Sequence, residues 1–165
     1  MKAALLVLAL CASLPASAFQ HTPDPHATGA DTRGDHAMGF SHEAATHHFT
    51  LLADGGSIAV AANSGTDQSA ITEIRTHLTH VATMFTANNF DVPMFIHGKV
   101  PPGVPVMKQK RAAIAYAFEP TPTGAQVRIT TTDPAAIKAV HEFLIFQITD
   151  HRTGDPLTVS PSPSR

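Results

Sequence analysis

Two stretches of this chain share one pattern, and that pattern restricts the fold more than any other feature. They read TDQSAITEIRTHL and, later, TDPAAIKAVHEFL. In each, apolar residues recur at helical spacing after a residue that favours the amino-terminal cap of a helix. We predict one helix capped by Thr66 or Asp67 and running to about Asn88. A second helix, with proline at its first position, is predicted from Asp133 to about His151.

Each predicted helix follows two short segments in which apolar and polar residues alternate. The segments 46–52 and 57–63 flank an Asp-Gly turn, and 111–119 and 124–131 form a second pair. Such pairs are typical of β-hairpins. One ββα unit cannot cover its own sheet face, whereas two side by side can. We therefore predict an α+β domain of duplicated ββα units, with a four-stranded antiparallel sheet and two helices on one face.

The core follows from the same periodicities, because strand side chains alternate between faces and helix side chains repeat every third or fourth residue. On the strands we expect these to be buried: Phe49, Leu51, Ile58, Val60, Ile114, Tyr116, Phe118, Val127 and Ile129. On the helices we expect these: Ile71, Ile74, Leu78, Val81, Phe85, Ile137, His141, Leu144 and Ile148. The proline-rich connection 89–111 is predicted to be neither helix nor central strand.

The flanking segments differ in composition from this domain. Residues 1–18 combine a lysine, a short apolar run and Ala-Ser-Ala, which is typical of an export signal and too short to cross a bilayer. Residues 19–45 are predicted to be a flexible histidine-containing arm, and 46–152 the single folded domain. Residues 153–165 are predicted to be a disordered tail. We expect a periplasmic or secreted protein without a membrane anchor.

Charge and cysteine content exclude several classes of function. Eleven Lys and Arg against thirteen Asp and Glu give a net charge of −2, with no basic run, which argues against nucleic acid as the main partner. Cys11, the one cysteine, lies in the predicted signal, so thiolate zinc and iron–sulfur sites are excluded from the mature domain. No phosphate loop, nucleophile elbow or HExxH motif is present, so enzyme activity is left open and is not favoured.

The chain instead contains eleven histidines, and imidazole is the commonest protein ligand for metals. His47 and His48 lie on the first strand, where alternation turns His47 to the core side and His48 to the opposite face. These two therefore cannot readily chelate one ion together. His97 precedes a glycine in the connection, and His141 falls within the apolar stripe of the second helix. Each is a candidate ligand that needs partners from other segments.

A second group of candidates lies along one flank of the first helix. Glu73, His77, His80 and Met84 follow one another at spacings of four, three and four. Residues at these spacings are neighbours on a helix surface. Cleavage after Ala18 would in addition expose Phe19-Gln20-His21, whose backbone nitrogens and His21 imidazole suit square-planar Cu(II) or Ni(II).

We predict an exported metal-binding protein in metal handling or sequestration, with copper ahead of zinc or nickel because imidazole and thioether ligands suit copper. One alternative is a small-ligand module that binds haem non-covalently, with His141 or His77 as axial ligand, since no CxxCH motif exists. Another is a structural or interaction domain whose histidines are incidental. A homodimer is compatible with the sequence.

Several segments also resemble those of a family of small uncharacterised bacterial exported proteins. They are THHF, PMFIHGK, PPGVP and HEFLIFQITDHRTGD. The resemblance covers roughly residues 38–156 and implies a shared domain that starts near Met38 after a variable leader. It implies no activity and no functional residues.

Overall fold

The computed structural model describes residues 44–163 of the protein. A 3₁₀ turn, Arg111–Ala113, precedes the third strand. The elements are β1 (Ala45–Leu52), β2 (Gly55–Ala62), α1 (Gln68–Thr86), α2 (Asp91–His97), α3 (Val104–Gln109), β3 (Ile114–Thr121), β4 (Gly124–Thr131) and α4 (Pro134–Asp150).

The four strands form one antiparallel sheet in the order β1-β2-β4-β3. Each hairpin contributes one central strand and one edge strand. The two hairpins join through β2 and β4, where Ile58 lies opposite Val127. Gly55, at the start of β2, adopts φ +134°, and a Cβ there would lie 2.3 Å from the Ile129 carbonyl oxygen, so the close strand approach requires glycine. The predicted α+β class and four-stranded antiparallel sheet are confirmed.

Both long helices begin where the sequence predicts. The Asp67 carboxylate accepts a hydrogen bond from the Ala70 amide at 3.0 Å. The Asp133 carboxylate accepts from the amides of Ala135 and Ala136 at 2.8 and 3.1 Å. These bonds satisfy amide groups that have no partner inside a helix, which fixes where each helix starts.

One hydrophobic core lies between the sheet and the two long helices. α1 packs mainly on β3 and β4, and α4 mainly on β1 and β2. Each helix thus covers the hairpin of the other half of the chain, and neither ββα unit makes a core by itself. Every residue of the predicted α1 stripe is buried, as are Phe49, Leu51, Ile58, Val60, Val127 and Ile129. Whether the two units arose by duplication stays a prediction.

The predicted inner face of α4 was wrong in part. Ile137 and His141 are only half-buried, whereas Val140 and Phe143 are buried in the core beside Leu144. The sequence PAAIKAVHEFLIFQITD is apolar on most sides of the helix, so spacing alone selects its buried face poorly. The helix is therefore rotated relative to the prediction.

The prediction for 89–111 was also wrong, since this connection contains the helices α2 and α3. Pro93 is the third residue of α2, and Pro105 is the second residue of α3. Amide groups in the first turn of a helix have no partner within it, so proline is tolerated at these positions.

Residues 153–163, which we call the C-terminal strap, are ordered along β1 instead of forming the predicted disordered tail. The Ser160 amide donates to the Leu51 carbonyl at 2.9 Å, and the Ala53 amide donates to the Ser160 carbonyl at 3.0 Å. The strap therefore covers the outer edge of β1, where unpaired backbone groups would otherwise invite another strand.

Candidate functional site

Three histidines from separate parts of the chain approach one another at one end of the domain. The ring centroids of His47 and His151 are 5.9 Å apart, and those of His97 and His151 are 5.0 Å apart. His47 lies on β1, His97 ends α2, and His151 follows α4 directly. We call His47, His97 and His151 the three-imidazole cluster.

Local structure explains how each ring reaches this place. Alternation along β1 turns His47 to the side of Phe49, whose ring lies 6.4 Å away, while His48 on the opposite face is exposed. Gly98 ends α2 in the left-handed conformation, at φ 63°, which favours glycine. The helix can therefore stop immediately after His97, whose side chain is buried against α4.

Both ring nitrogens of His97 have a polar contact. Its Nδ1 lies 2.6 Å from Asp150 Oδ2, and its Nε2 lies 2.9 Å from Gln147 Oε1. Phe146 meets the ring edge-on at 4.8 Å between centroids. The other amide atom of Gln147, Nε2, is buried without a hydrogen-bond partner among the described residues. Gln147 is thus anchored on one side only.

His48 contacts the strap instead of the cluster. Its Nδ1 lies 2.9 Å from Asp155 Oδ1, and the Phe49 amide donates to Asp155 Oδ2 at 2.8 Å. Burial alone would raise the pKa of Asp155, but hydrogen bonds from Thr153, Phe49 and His48 outweigh that effect and lower it. The side chain of Asp155 therefore stays ionised and fastens the strap to β1.

His141 connects α4 to the turn between β1 and β2. Its Nε2 lies 2.9 Å from the Leu52 carbonyl oxygen and 3.0 Å from that of Gly55. A ring nitrogen between two carbonyl oxygens must carry the proton and donate, so it offers no lone pair to a metal. The Nε2 of His141 thus serves structure, which weakens its predicted roles as a metal ligand and as a haem ligand.

The predicted ligands of the first helix lie on α1, away from β1 and the end of α4. His80 is exposed, and His77 and Met84 are half-buried. Burial, and secondarily the charge of His80, lowers the pKa of His77 to about 4. His77 is therefore neutral at physiological pH, as a metal ligand must be. Glu73 accepts a hydrogen bond from Ser69 at 3.3 Å.

Within residues 44–163, no three His, Cys, Asp or Glu side chains are arranged to hold a metal ion. The rings of His47 and His151 are nearly parallel, at 7°, which is a stacking arrangement. The predicted amino-terminal site at His21 lies outside the described residues. Within the described residues the predicted ligands are thus distributed over four places: the cluster, the strap contact, α1, and the turn between β1 and β2 that His141 contacts.

His151 and its neighbour Asp150 were absent from the predicted site. The sequence does place Asp150-His151 at the end of the second helix, but adjacent helix residues point about 100° apart. The two residues were therefore not expected to act as a pair, whereas in the structure each contacts His97 at the end of α2. Recognising the cluster requires knowing that the end of α2 packs against the end of α4.

Comparisons with protein-family models, curated proteins and solved structures found no match. The family resemblance noted in the sequence therefore stays a prediction. Among the helices of residues 44–163, none has the length and apolar character needed to cross a membrane.

Proposed function

We propose that this is an exported metal-binding protein and that the three-imidazole cluster is its binding site, with copper as the first candidate and zinc and nickel after it. The observation that carries the proposal is the approach of three imidazoles from β1, α2 and the end of α4. The role we assign is metal handling or sequestration.

The spacing of the rings suits a shared ion. With metal–nitrogen bonds of about 2.0–2.1 Å in a tetrahedral site, ring centroids lie about 5 Å apart. The observed separations are 5.0 and 5.9 Å. The orientation of the rings does not suit a shared ion, because the stacked rings of His47 and His151 do not direct their nitrogens to one point. Binding therefore requires these side chains to rotate, with little movement of the backbone.

The contact of His97 Nδ1 with Asp150 favours metal binding by the other ring nitrogen, Nε2. A carboxylate that accepts from one ring nitrogen of a histidine orients the ring and makes the other nitrogen a better ligand. Asp150 can do this at Nδ1, and Nε2 then becomes available once Gln147 moves away. Among the described residues, that movement breaks the contact of Gln147 Oε1 with His97 and no hydrogen bond of Gln147 Nε2.

Copper comes first for two reasons. Divalent copper has the highest affinity of the first-row ions for a given set of nitrogen ligands. The predicted mature chain also lacks thiolates, which would otherwise favour zinc. A three-imidazole site accepts zinc as well, so both ions belong in the test.

The test is thermal unfolding of the full chain, produced without a histidine tag, with and without Cu(II), Zn(II) or Ni(II). An ion that binds the folded state preferentially stabilises it by about 2.7 kcal/mol at 100 times its Kd. We expect a rise in Tm that His151→Ala removes. The matched control is His80→Ala, which deletes an exposed histidine of α1 and should keep the rise.

The same measurement, repeated on a chain that begins at Phe19, separates the cluster from the predicted amino-terminal site. A site made by the free amino terminus and His21 would bind folded and unfolded chains alike and would leave Tm unchanged. Metal-induced stabilisation of equal size in the parent chain and in His151→Ala would reject the cluster. Loss of the effect in a His77→Ala, His80→Ala double variant would move the site to α1.

A specific observation favours the alternative of a structural domain with incidental histidines. His48, His97 and His141 each already contact a protein oxygen, from Asp155, Asp150 and the Leu52 backbone respectively. If the histidines are incidental, Cu(II), Zn(II) and Ni(II) will all leave the Tm of the parent chain unchanged.

A further inference from the structure

The two edge strands of the sheet differ in whether another segment of the chain covers them. The edge of β1 is covered by the C-terminal strap through backbone hydrogen bonds at Leu51 and Ala53. The edge of β3 has no such cover among residues 44–163. Natural proteins usually protect an exposed edge strand with charges, bulges or a covering segment. β3, with the sequence IAYAFEPT, contains a single charged residue, Glu119.

The outward backbone groups of β3 follow from its register with β4. Thr121 pairs with Gly124 across a two-residue turn, so odd-numbered residues of β3 bond to β4. Tyr116 and Phe118 then direct their amide and carbonyl groups outward, and no described residue bonds to them. Pro120, which has no amide hydrogen, also faces outward, as is usual for an edge strand.

Beside this edge runs a groove between β3 and α1. Its floor is formed by Tyr116 and Phe118, and burial raises the pKa of Tyr116. Its wall is a stripe of threonines along α1, here called the threonine stripe: Thr72, Thr76, Thr79, Thr83 and Thr86. Each threonine hydroxyl donates to the carbonyl four residues earlier in the helix. The stripe therefore needs no water to satisfy its hydroxyl donors, which favours its burial.

The charged side chains Arg75 and Glu119 at this surface have opposite sign, and each is hydrogen-bonded within the chain. The Arg75 guanidinium donates to the carbonyls of Thr121 and Gly124 at 2.7 and 3.1 Å. Glu119 accepts from the Gln126 amide at 2.7 Å. The surface is thus electrically compatible with an identical copy of itself, which a strongly charged surface would not be.

We propose that two copies of this chain associate through β3 and the threonine stripe, forming a continuous eight-stranded antiparallel sheet about a two-fold axis at Ala117. In this register Tyr116 pairs with Phe118 of the partner subunit, and the outward amide and carbonyl groups of these two residues are satisfied. Ala117 meets its own copy at a close, non-hydrogen-bonded position, where Cα atoms are about 4.5 Å apart and a small side chain fits.

The dimensions favour a second copy over a smaller ligand. The eight-residue strand is about 27 Å long, and the 19-residue α1 is about 28 Å long. The sheet and helix layers together are roughly 22 Å high, so a contact of this length and height on both copies removes about 1,200 Å² from solvent in total. This is the lower limit of standard-size interfaces. We therefore expect a reversible monomer–dimer equilibrium.

The experiment is sedimentation velocity of the full chain over a concentration series, with two charge variants. We expect a monomer–dimer equilibrium that Ala117→Lys shifts to monomer by at least tenfold in Kd, because it places two cations at the axis. Thr50→Lys is the matched control: Thr50 is exposed on the same sheet face, on the opposite edge strand. It should leave the equilibrium unchanged, and neither variant should alter the far-UV circular dichroism.

A cross-linking measurement fixes the register. In a chain carrying Cys11→Ser, Ala117→Cys should form a disulfide-linked dimer with oxidised glutathione, since paired Cα atoms about 4.5 Å apart can be bridged. Thr50→Cys should not.

A full chain that stays monomeric at 100 μM overturns the proposal. So does a monomer in which the Tyr116 and Phe118 amides resist hydrogen exchange, because that result assigns the edge to another segment of the same chain. A dimer that is equally stable in Ala117→Lys places the interface elsewhere and overturns it as well.

Discussion

At the scale of single residues, the histidines differ in what surrounds each ring more than in their spacing along the chain. His141 is bound to backbone carbonyls, His48 to the strap carboxylate, and His97 to Asp150 and Gln147. His77 differs from these because its main perturbation is burial, which removes water from the charged form of the ring. That difference gives a pH dependence which can be measured.

Because the folded-state pKa of His77 is about 4 against 6.5 in the unfolded chain, the unfolded state binds the proton first as pH falls. The stability that neutral His77 contributes is therefore complete above pH 6.5 and is lost between pH 6.5 and 4. We expect the unfolding free energy of the parent chain to fall over this range by on the order of 2 kcal/mol more than that of His77→Gln. Urea titrations at a series of pH values measure it.

His80→Gln is the control for this prediction, since His80 is exposed on the same helix and contributes only the smaller electrostatic part of the shift. It should retain most of the decline. Parallel pH profiles for the parent chain and His77→Gln would show that the ring of His77 is not desolvated in the folded state.

At the scale of elements, the C-terminal strap should protect particular amides of β1. Asp155 accepts from the Phe49 amide, and Ser162 accepts from the Asp54 amide at 3.2 Å. Asp155→Ala should therefore accelerate hydrogen exchange at Phe49 and lower the unfolding free energy by about 2 kcal/mol, the value of a hydrogen bond to a charged group. Exchange measured by NMR, residue by residue, is the readout.

Ser162→Ala is the matched change at the other end of the strap. It should accelerate exchange at Asp54 and leave Phe49 slow. If Asp155→Ala left the Phe49 amide unchanged, the strap would not be held at this position in solution.

The sequence predicted the long helices and the hairpins, whose patterns are local, and missed the buried face of α4 and the strap, which depend on distant contacts. The caps at Asp67 and Asp133 and the apolar stripe of α1 are local, and all were predicted. The buried face of α4 is set by which hairpin the helix packs on, so its rotation was missed. The strap has an ordinary linker composition, and only its contacts with the edge of β1 order it.

At the scale of the whole molecule, the candidate site could be predicted only in part for the same reason. The sequence placed His47 on the core side of its strand and named His97 as a candidate ligand. It could not bring them to His151, because that depends on how the end of α2 packs against the end of α4. Ring contacts between residues this far apart in sequence leave no periodic signal.

The sheet also separates the two proposed binding regions. The cluster lies at β1 and the dimer surface at β3, the opposite edges of the sheet. Three strand spacings, about 14 Å, lie between them. Metal binding and dimerisation should therefore be energetically independent, since sites without shared partners at this distance are usually additive.

Two variants test this independence at one fixed protein concentration, because the Tm of a dimer depends on concentration. Ala117→Lys should be monomeric and still show the full metal-induced rise in Tm. His151→Ala should lose that rise and still sediment with the same dimer Kd, within about twofold. Loss of the metal effect in Ala117→Lys, with its circular dichroism unchanged, would show instead that the partner subunit completes the metal site. The cluster would then have to gain a ligand from across the interface, which the separation of β1 from β3 argues against.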